Sequence, residues 1–243
     1  MTRQDMRTHT WFLPLVAVLL FTACSADGPR EAAVAEQPVT TGTADASSPS
    51  LPVPPAEGLP RIVFLGDSLT AGLGLQPVES IPSLVQQRLN DEGYRYEVIN
   101  AGVSGDTSAG GLRRLDYSLQ GPVELLVVEL GANDGLRGLP ISQLKENLTQ
   151  VITTARRRGI TVVLTGMEAP PNYGEAYTSE FRGVYRELAS EQHVPFVPFF
   201  LEGVAGDPAL NQRDGIHPNA EGARIISELM FNAIEPLLEK RDS

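Results

Sequence analysis

Five short stretches of the chain are largely apolar at consecutive positions rather than at alternate ones: Ile62–Leu65, Tyr96–Ile99, Leu125–Leu130, Thr161–Thr165 and Phe196–Phe199. A strand buried on both faces reads this way, whereas a strand with one wet face alternates. Between these runs, apolar residues recur at helical spacing over Ser80–Asp91, Ser108–Leu119, Ile141–Arg158 and Glu175–Glu191, and a last helical pattern covers Asn219–Lys240. Strand and helix alternate throughout. The pattern predicts an α/β fold, a three-layer α/β/α sandwich built on a doubly wound, five-stranded parallel sheet.

The first 60 residues follow other rules. Arg3, Arg7 and His9 form a basic head, and Trp11 to Phe21 is an apolar run of secretory length, shorter than the ~20 residues a bilayer-spanning helix requires. Residues 1–26 therefore read as an export signal. Small residues, Thr22 and Ala23, precede the single cysteine, so that Cys24 resembles the lipidated first residue of a bacterial lipoprotein, although Phe21 stands where Leu is usual. The plainer alternative is cleavage after Ala26. Residues 27–60 are rich in Ala, Pro, Ser, Thr and Glu without hydrophobic period, and the run Leu51-Pro-Val-Pro-Pro suits a semi-extended tether. The folded domain is expected over 61–243. The location implied is the cell envelope or periplasm, with membrane association only through a lipid anchor at Cys24.

Composition narrows the function. A formal charge of −11 with no Lys/Arg-rich run gives no electrostatic footprint for nucleic acid or an anionic lipid surface. One cysteine rules out a disulfide framework and every Cys-x-x-Cys metal site, and three histidines leave little for a metal centre. No metal and no cofactor is expected. No nucleic-acid partner is expected, and the chain is expected to be a monomer.

In an open parallel sheet, ligands bind outside the carboxyl ends of the strands. Polar, glycine-marked segments fall at that edge: Gly66-Asp67-Ser68-Leu69, Asn100 to Thr107, Gly131-Ala132-Asn133-Asp134, and, before the last helix, Asp214-Gly215-Ile216-His217-Pro218. In order and spacing these four segments resemble the signature blocks of the SGNH, or GDSL, hydrolase superfamily. The likeness continues through Val128–Gly138, Pro171-Asn172-Tyr173-Gly174 and Val197-Pro198-Phe199-Phe200, which are similar to its bacterial esterase, thioesterase and lysophospholipase branch. It spans Arg61 to the C-terminus and implies the flavodoxin-like fold of that superfamily.

The residue types also make chemical sense by themselves. A serine hydroxyl is a weak nucleophile until a base takes its proton. Ser68 lies at a strand-to-helix turn, where it could otherwise serve only as a helix N-cap. His217 is the candidate base, held extended by Pro218, which can open the closing helix. Asp214, three residues earlier with Gly215 between, is spaced to reach Nδ1 while Nε2 faces Ser68. In isolation, Asp-x-x-His would read as a turn aspartate and a surface histidine. The resemblance further implies an oxyanion hole made by the backbone N–H of Ser68, the backbone N–H of Gly105 and the side-chain amide of Asn133.

Other candidates yield to simpler readings. Ser142-Gln-Leu-Lys145 has Ser-Lys spacing but lacks the accompanying motifs, and Ser142 suits a helix N-cap. Asp67 and Asp134 are expected to shape their loops by hydrogen bonding. His193 reads as structural, and Asn147-Leu148-Thr149 is a formal glycosylation sequon only. No Gly-x-Ser-x-Gly elbow occurs. The loop Gly135–Pro140, with Leu136 and Leu139, is a candidate apolar wall for an acyl chain. The leading expectation, which the resemblance implies, is a carboxylic ester hydrolase forming a Ser68 acyl-enzyme on acyl or aryl esters, its partner a small-molecule or lipid ester substrate such as a lysophospholipid, with thioesterase activity as a side reaction. A carbohydrate O-deacetylase of the envelope is the alternative, and a non-catalytic, lipid-anchored binding domain is the more distant one.

Overall fold

The computed structural model describes residues 58–241. The expected export signal and all but the last three residues of the expected tether lie outside the described residues.

Five parallel strands form the sheet: β1 Arg61–Gly66, β2 Glu97–Gly102, β3 Val123–Glu129, β4 Thr161–Thr165 and β5 Phe196–Val197. Their order is β2-β1-β3-β4-β5, every neighbouring pair parallel. This is the doubly wound arrangement expected. The central strands are buried on both faces, Ile62 to Leu65 and Leu125 to Val128 being almost wholly withdrawn from solvent, which is why they read as unbroken apolar runs. The fifth strand is two residues shorter than the pattern suggested. Pro198 has no N–H to contribute to a ladder, and the chain leaves the sheet there.

Among the described residues, seven α-helices lie between the strands and an eighth follows the last: α1 Ser68–Ala71, α2 Ile81–Asp91, α3 Ser108–Arg113, α4 Leu115–Ser118, α5 Ala132–Leu136, α6 Ile141–Arg157, α7 Glu175–Gln192 and α8 Ala220–Ile234. Helix α2 packs on α8, and α6 packs between α3 and α7. The chain steps one way from β1 to β2 and the other way from β2 on to β5, so crossovers of the usual right hand place the helices after β1 on one face of the sheet and those after β2, β3 and β4 on the other. The amphipathic stripe of α6, with Leu144, Leu148, Val151, Ile152 and Ala155 buried, shows the spacing that revealed it in sequence.

Two helices end earlier than expected, and two more were not expected, for local reasons. The pattern over 108–119 breaks at Arg114, whose backbone leaves helical geometry while its guanidinium donates to Ala101 O at 2.6 Å and Gly66 O at 2.8 Å. The last helix stops at Ile234 because Pro236 cannot supply the next helical N–H. Helices α1 and α5, of four and five residues, are too short for periodicity to show.

The winding reverses between β1 and β3, and the crevice above their carboxyl ends is where this architecture places ligands. Ser68 follows β1 and Asn133 follows β3.

Candidate active site

Gly66 ends β1 and Asp67 caps α1, its Oδ1 accepting the Leu69 N–H at 3.0 Å. The cap is thus Asp67, not Ser68. Ser68 is the first residue of the helix, 9% exposed, and its hydroxyl is left for another partner. That partner is His217, whose Nε2 lies 2.8 Å from Ser68 Oγ across 149 positions of sequence.

The far nitrogen of the same ring, Nδ1, lies 2.8 Å from Asp214 Oδ2. Asp214 Oδ1 in turn accepts the backbone N–H groups of Ile216 and His217, each at 3.1 Å. Gly215 takes φ +75°, the left-handed conformation that lets so short a loop fold back on itself. The His217 ring and these backbone donors hold the Asp214 carboxyl down at about 2. The group is thereby favoured as a carboxylate beside the imidazole.

The loop carrying His217 is held differently from expectation. Pro218 does not open α8; Asn219 caps it, accepting from Glu221 N and Gly222 N, and Pro218 pairs with Asn211 in an antiparallel bridge. Gln212, which nothing in the sequence marked, ties this loop to the segment that follows α1. Its N–H donates to His217 O at 2.7 Å, and its amide donates to Leu73 O at 2.6 Å and Pro218 O at 2.9 Å. The His217 loop is thereby fastened to the segment following α1.

Asn133, in α5, donates from Nδ2 to Asp67 Oδ2 at 3.0 Å. The second N–H of that amide remains for the cavity that Asn133 and Ser68 both line. Gly105 sits in the turn after β2 with φ +83°, and its carbonyl accepts from Arg137 at 2.9 Å. It lies outside the residues that line the cavity. Asp134, as its loop-shaping role requires, accepts from Ser108 N at 2.8 Å and Ser108 Oγ at 2.6 Å.

Burial, above all, raises the Asp67 carboxyl from its ordinary 3.8 to about 6. Folding therefore binds the Asp67 proton more tightly than the unfolded chain does. The contribution is full below pH 3.8 and is lost as pH rises through about 6. Compared with Asp67→Asn, wild-type stability is expected to decline by on the order of 2 kcal/mol across that interval. Urea denaturation at pH 4, 5, 6 and 7 measures it, and a constant difference across the series would refute the assignment.

The cavity in front of Ser68 and His217 has a volume of about 340 Å³ and a mainly apolar wall that includes Leu136, Met167, Pro170, Phe199, Leu201 and Ile216. Of the loop Gly135–Pro140, Leu136 contributes to that wall and Leu139 does not. Its first two residues belong to α5. Glu168 is also on the wall, paired with Arg182 at 3.0 Å.

The residues set aside lie elsewhere. Ser142 is the second residue of α6, after Pro140 at the cap position, so it does not cap that helix. Lys145 pairs with Glu187 and Glu191 on α7, and His193 ends α7 in the left-handed conformation. Among the described residues, no three His, Cys, Asp or Glu side chains are grouped as a metal ion would require.

Known proteins carry the same pattern. Residues 64–225 match the model of the GDSL-like Lipase/Acylhydrolase family. The chain is 46% identical over 178 residues to Esterase TesA of Pseudomonas aeruginosa, covering 73% of this chain and 89% of the relative. It is 38% identical over 179 residues to Thioesterase 1/protease 1/lysophospholipase L1 of Escherichia coli, covering 73% and 84%. The crystal structure of TesA superposes with a TM-score of 0.70 at 45% identity, over 73% of this chain and 99% of that one. With two-thirds of its length inside the family model and its serine, histidine and aspartate joined at one sheet edge, the chain belongs to the GDSL-like lipase/acylhydrolase family, a family of ester hydrolases.

Proposed function

We propose that the protein hydrolyses carboxylic esters with an apolar acyl group through an acyl-enzyme on Ser68. The observation that carries this is the unbroken Ser68–His217–Asp214 relay, two contacts of 2.8 Å each, opening onto an apolar cavity.

In this reading His217 Nε2 takes the proton from Ser68 Oγ as the oxygen attacks the acyl carbon, and the Asp214 carboxylate stabilises the imidazolium that forms. The carbonyl electron pair moves onto oxygen, where the Ser68 N–H and the Asn133 amide receive it, the Gly105 N–H being the third donor that the family resemblance implies. As the tetrahedral intermediate collapses, the alcohol leaves with the proton from His217. Water then repeats the sequence on the acyl-enzyme: His217 takes its proton, hydroxide attacks, and Ser68 departs with the proton as the acid is released. No cofactor enters the scheme.

The cavity wall favours medium or long acyl chains, since each buried methylene contributes ~0.8 kcal/mol. Aryl esters, lysophospholipids and thioesters fall within the same chemistry, and the names of the relatives support that range. Export through residues 1–26 and lipidation of Cys24 belong to this reading, with the tether setting the catalytic domain off an envelope membrane.

Hydrolysis of p-nitrophenyl acetate, octanoate and palmitate tests it. Octanoate is expected to exceed acetate by at least ~10-fold in kcat/KM, because six more methylenes are buried. Turnover of acetate alone would turn the assignment toward a carbohydrate O-deacetylase. Globomycin-sensitive processing and labelling with a radioactive fatty acid test the anchor, and a Cys24→Ser protein that keeps the label would refute it.

A further inference from the structure

Beneath Ser68 lies a carboxyl group for which the mechanism above has no use. Glu129 is the last residue of β3, beside Gly66 in the sheet register, and it is wholly buried. Its Oε2 accepts two hydrogen bonds, from the Asp67 backbone N–H at 3.2 Å and from the Thr70 hydroxyl at 2.8 Å. Its Oε1 is buried without a partner. These contacts flank Ser68 in sequence on both sides.

We propose that Glu129 is a positioning residue for Ser68, acting as a buried acceptor that clamps the turn from Asp67 to Thr70. The inference rests on the reading of Ser68 as nucleophile.

Three observations support it. The geometry is specific: one carboxyl oxygen ties β3 to both sides of the serine, and the serine's own backbone N–H is a proposed oxyanion donor. Space has been made for the contact, because a Cβ on Gly66 would overlap both Thr70 Oγ1 and Glu129 Oε2, so only glycine lets the carboxyl reach the turn. The environment selects the neutral acid. Burial, and then the neighbouring Asp67 charge, push the Glu129 carboxyl well above the usual range. An ion there, wholly buried and with no cation paired to it, would cost several kcal/mol.

An amide can replace a neutral acid as an acceptor, and a hydrocarbon cannot. Glu129→Gln is therefore expected to keep kcat on p-nitrophenyl octanoate within about threefold, whereas Glu129→Leu should lose on the order of 10- to 100-fold, the scale of a 1 Å misplacement. In Glu129→Leu the KM is expected to stay within about twofold, because the acyl cavity is untouched, and phosphonylation of Ser68 by a p-nitrophenyl phosphonate should slow in parallel with kcat. A merely structural residue would lower the melting temperature and leave both rates of the folded protein unchanged. That result, or an equal loss in Glu129→Gln, overturns the proposal. Should Glu129→Leu fail to fold, Thr70→Val removes one of the two donors with little change of volume. A several-fold lower phosphonylation rate then supports the clamp, and a wild-type rate overturns it. Ser68→Ala assayed alongside separates the two levels: if it retains activity the nucleophile assignment fails, and if it is inactive while Glu129→Leu is fully active only the clamp fails.

Discussion

Ser68→Ala is expected to lower kcat for any ester the protein turns over by at least ~10⁴-fold, while leaving the melting temperature within a degree or two of wild type. The large effect follows from the chemistry: without Oγ no acyl-enzyme forms, and only binding and oxyanion donors remain to assist water. The small effect on stability follows from the geometry. The one side-chain hydrogen bond of Ser68 is to His217, and the cap of α1 is supplied by Asp67, which the substitution does not touch. Because Ser68 and His217 act as a unit, the double variant Ser68→Ala/His217→Ala is expected to be no slower than either single one. Activity that survived in Ser68→Ala, in protein freed of contaminating esterase, would refute the assignment of the nucleophile.

Asn133→Ala is expected to reduce kcat by ~10²- to 10³-fold with little change in KM, the loss typical of one oxyanion donor. The amide contributes through the N–H it does not give to Asp67, so its value appears when negative charge develops on the substrate oxygen. Deleting it also removes a partner from the buried Asp67 Oδ2, which costs about 1–3 kcal/mol of stability. The two effects are separable by measuring kcat well below the melting transition. Asn133→Asp sharpens the test: it is expected to be at least as slow as the alanine variant, because it sets a second carboxyl against Asp67 and offers no donor to the oxyanion. A wild-type kcat in Asn133→Ala would remove Asn133 from the site.

Much of this arrangement is visible in the chain before folding. The continuous apolar runs announced a parallel sheet because strands covered on both faces have no wet positions to mark with polar residues. The long helices α6 and α7 showed through their stripes. Ser68, Asn133, Asp214 and His217 stood out because each sits in a glycine-marked segment after a strand or before the last helix, where a doubly wound sheet exposes its loops. What stayed hidden was of two kinds. Helices α1 and α5 are each barely a turn, shorter than any period that could reveal them. Gln212 and Glu129 carry no local signature, since their importance lies in partners far away in sequence: Leu73 for one, Asp67 and Thr70 for the other.

Local rules also misplaced some details. Ser after Gly-Asp is a good N-cap, but Asp67 is as good, and its Oδ1 reaches Leu69 N so that Ser68 is left free. Pro218 could have opened α8, yet the bridge to Asn211 draws it out of the helix and leaves the cap to Asn219.

By itself, then, the sequence determined the order of the strands and the longer helices, the sheet edge on which the polar loops gather, and the residue types able to act on an ester. Those follow from periodicity and from chemistry confined to a few adjacent residues. Only the tertiary structure decided that Ser68 Oγ and His217 Nε2 stand 2.8 Å apart, that Gln212 and Glu129 hold the two ends of that contact, and that Gly105 turns its carbonyl toward Arg137. Such distances are set by the packing of β1 between β2 and β3, and by hydrogen bonds that buried groups must find wherever the fold provides them.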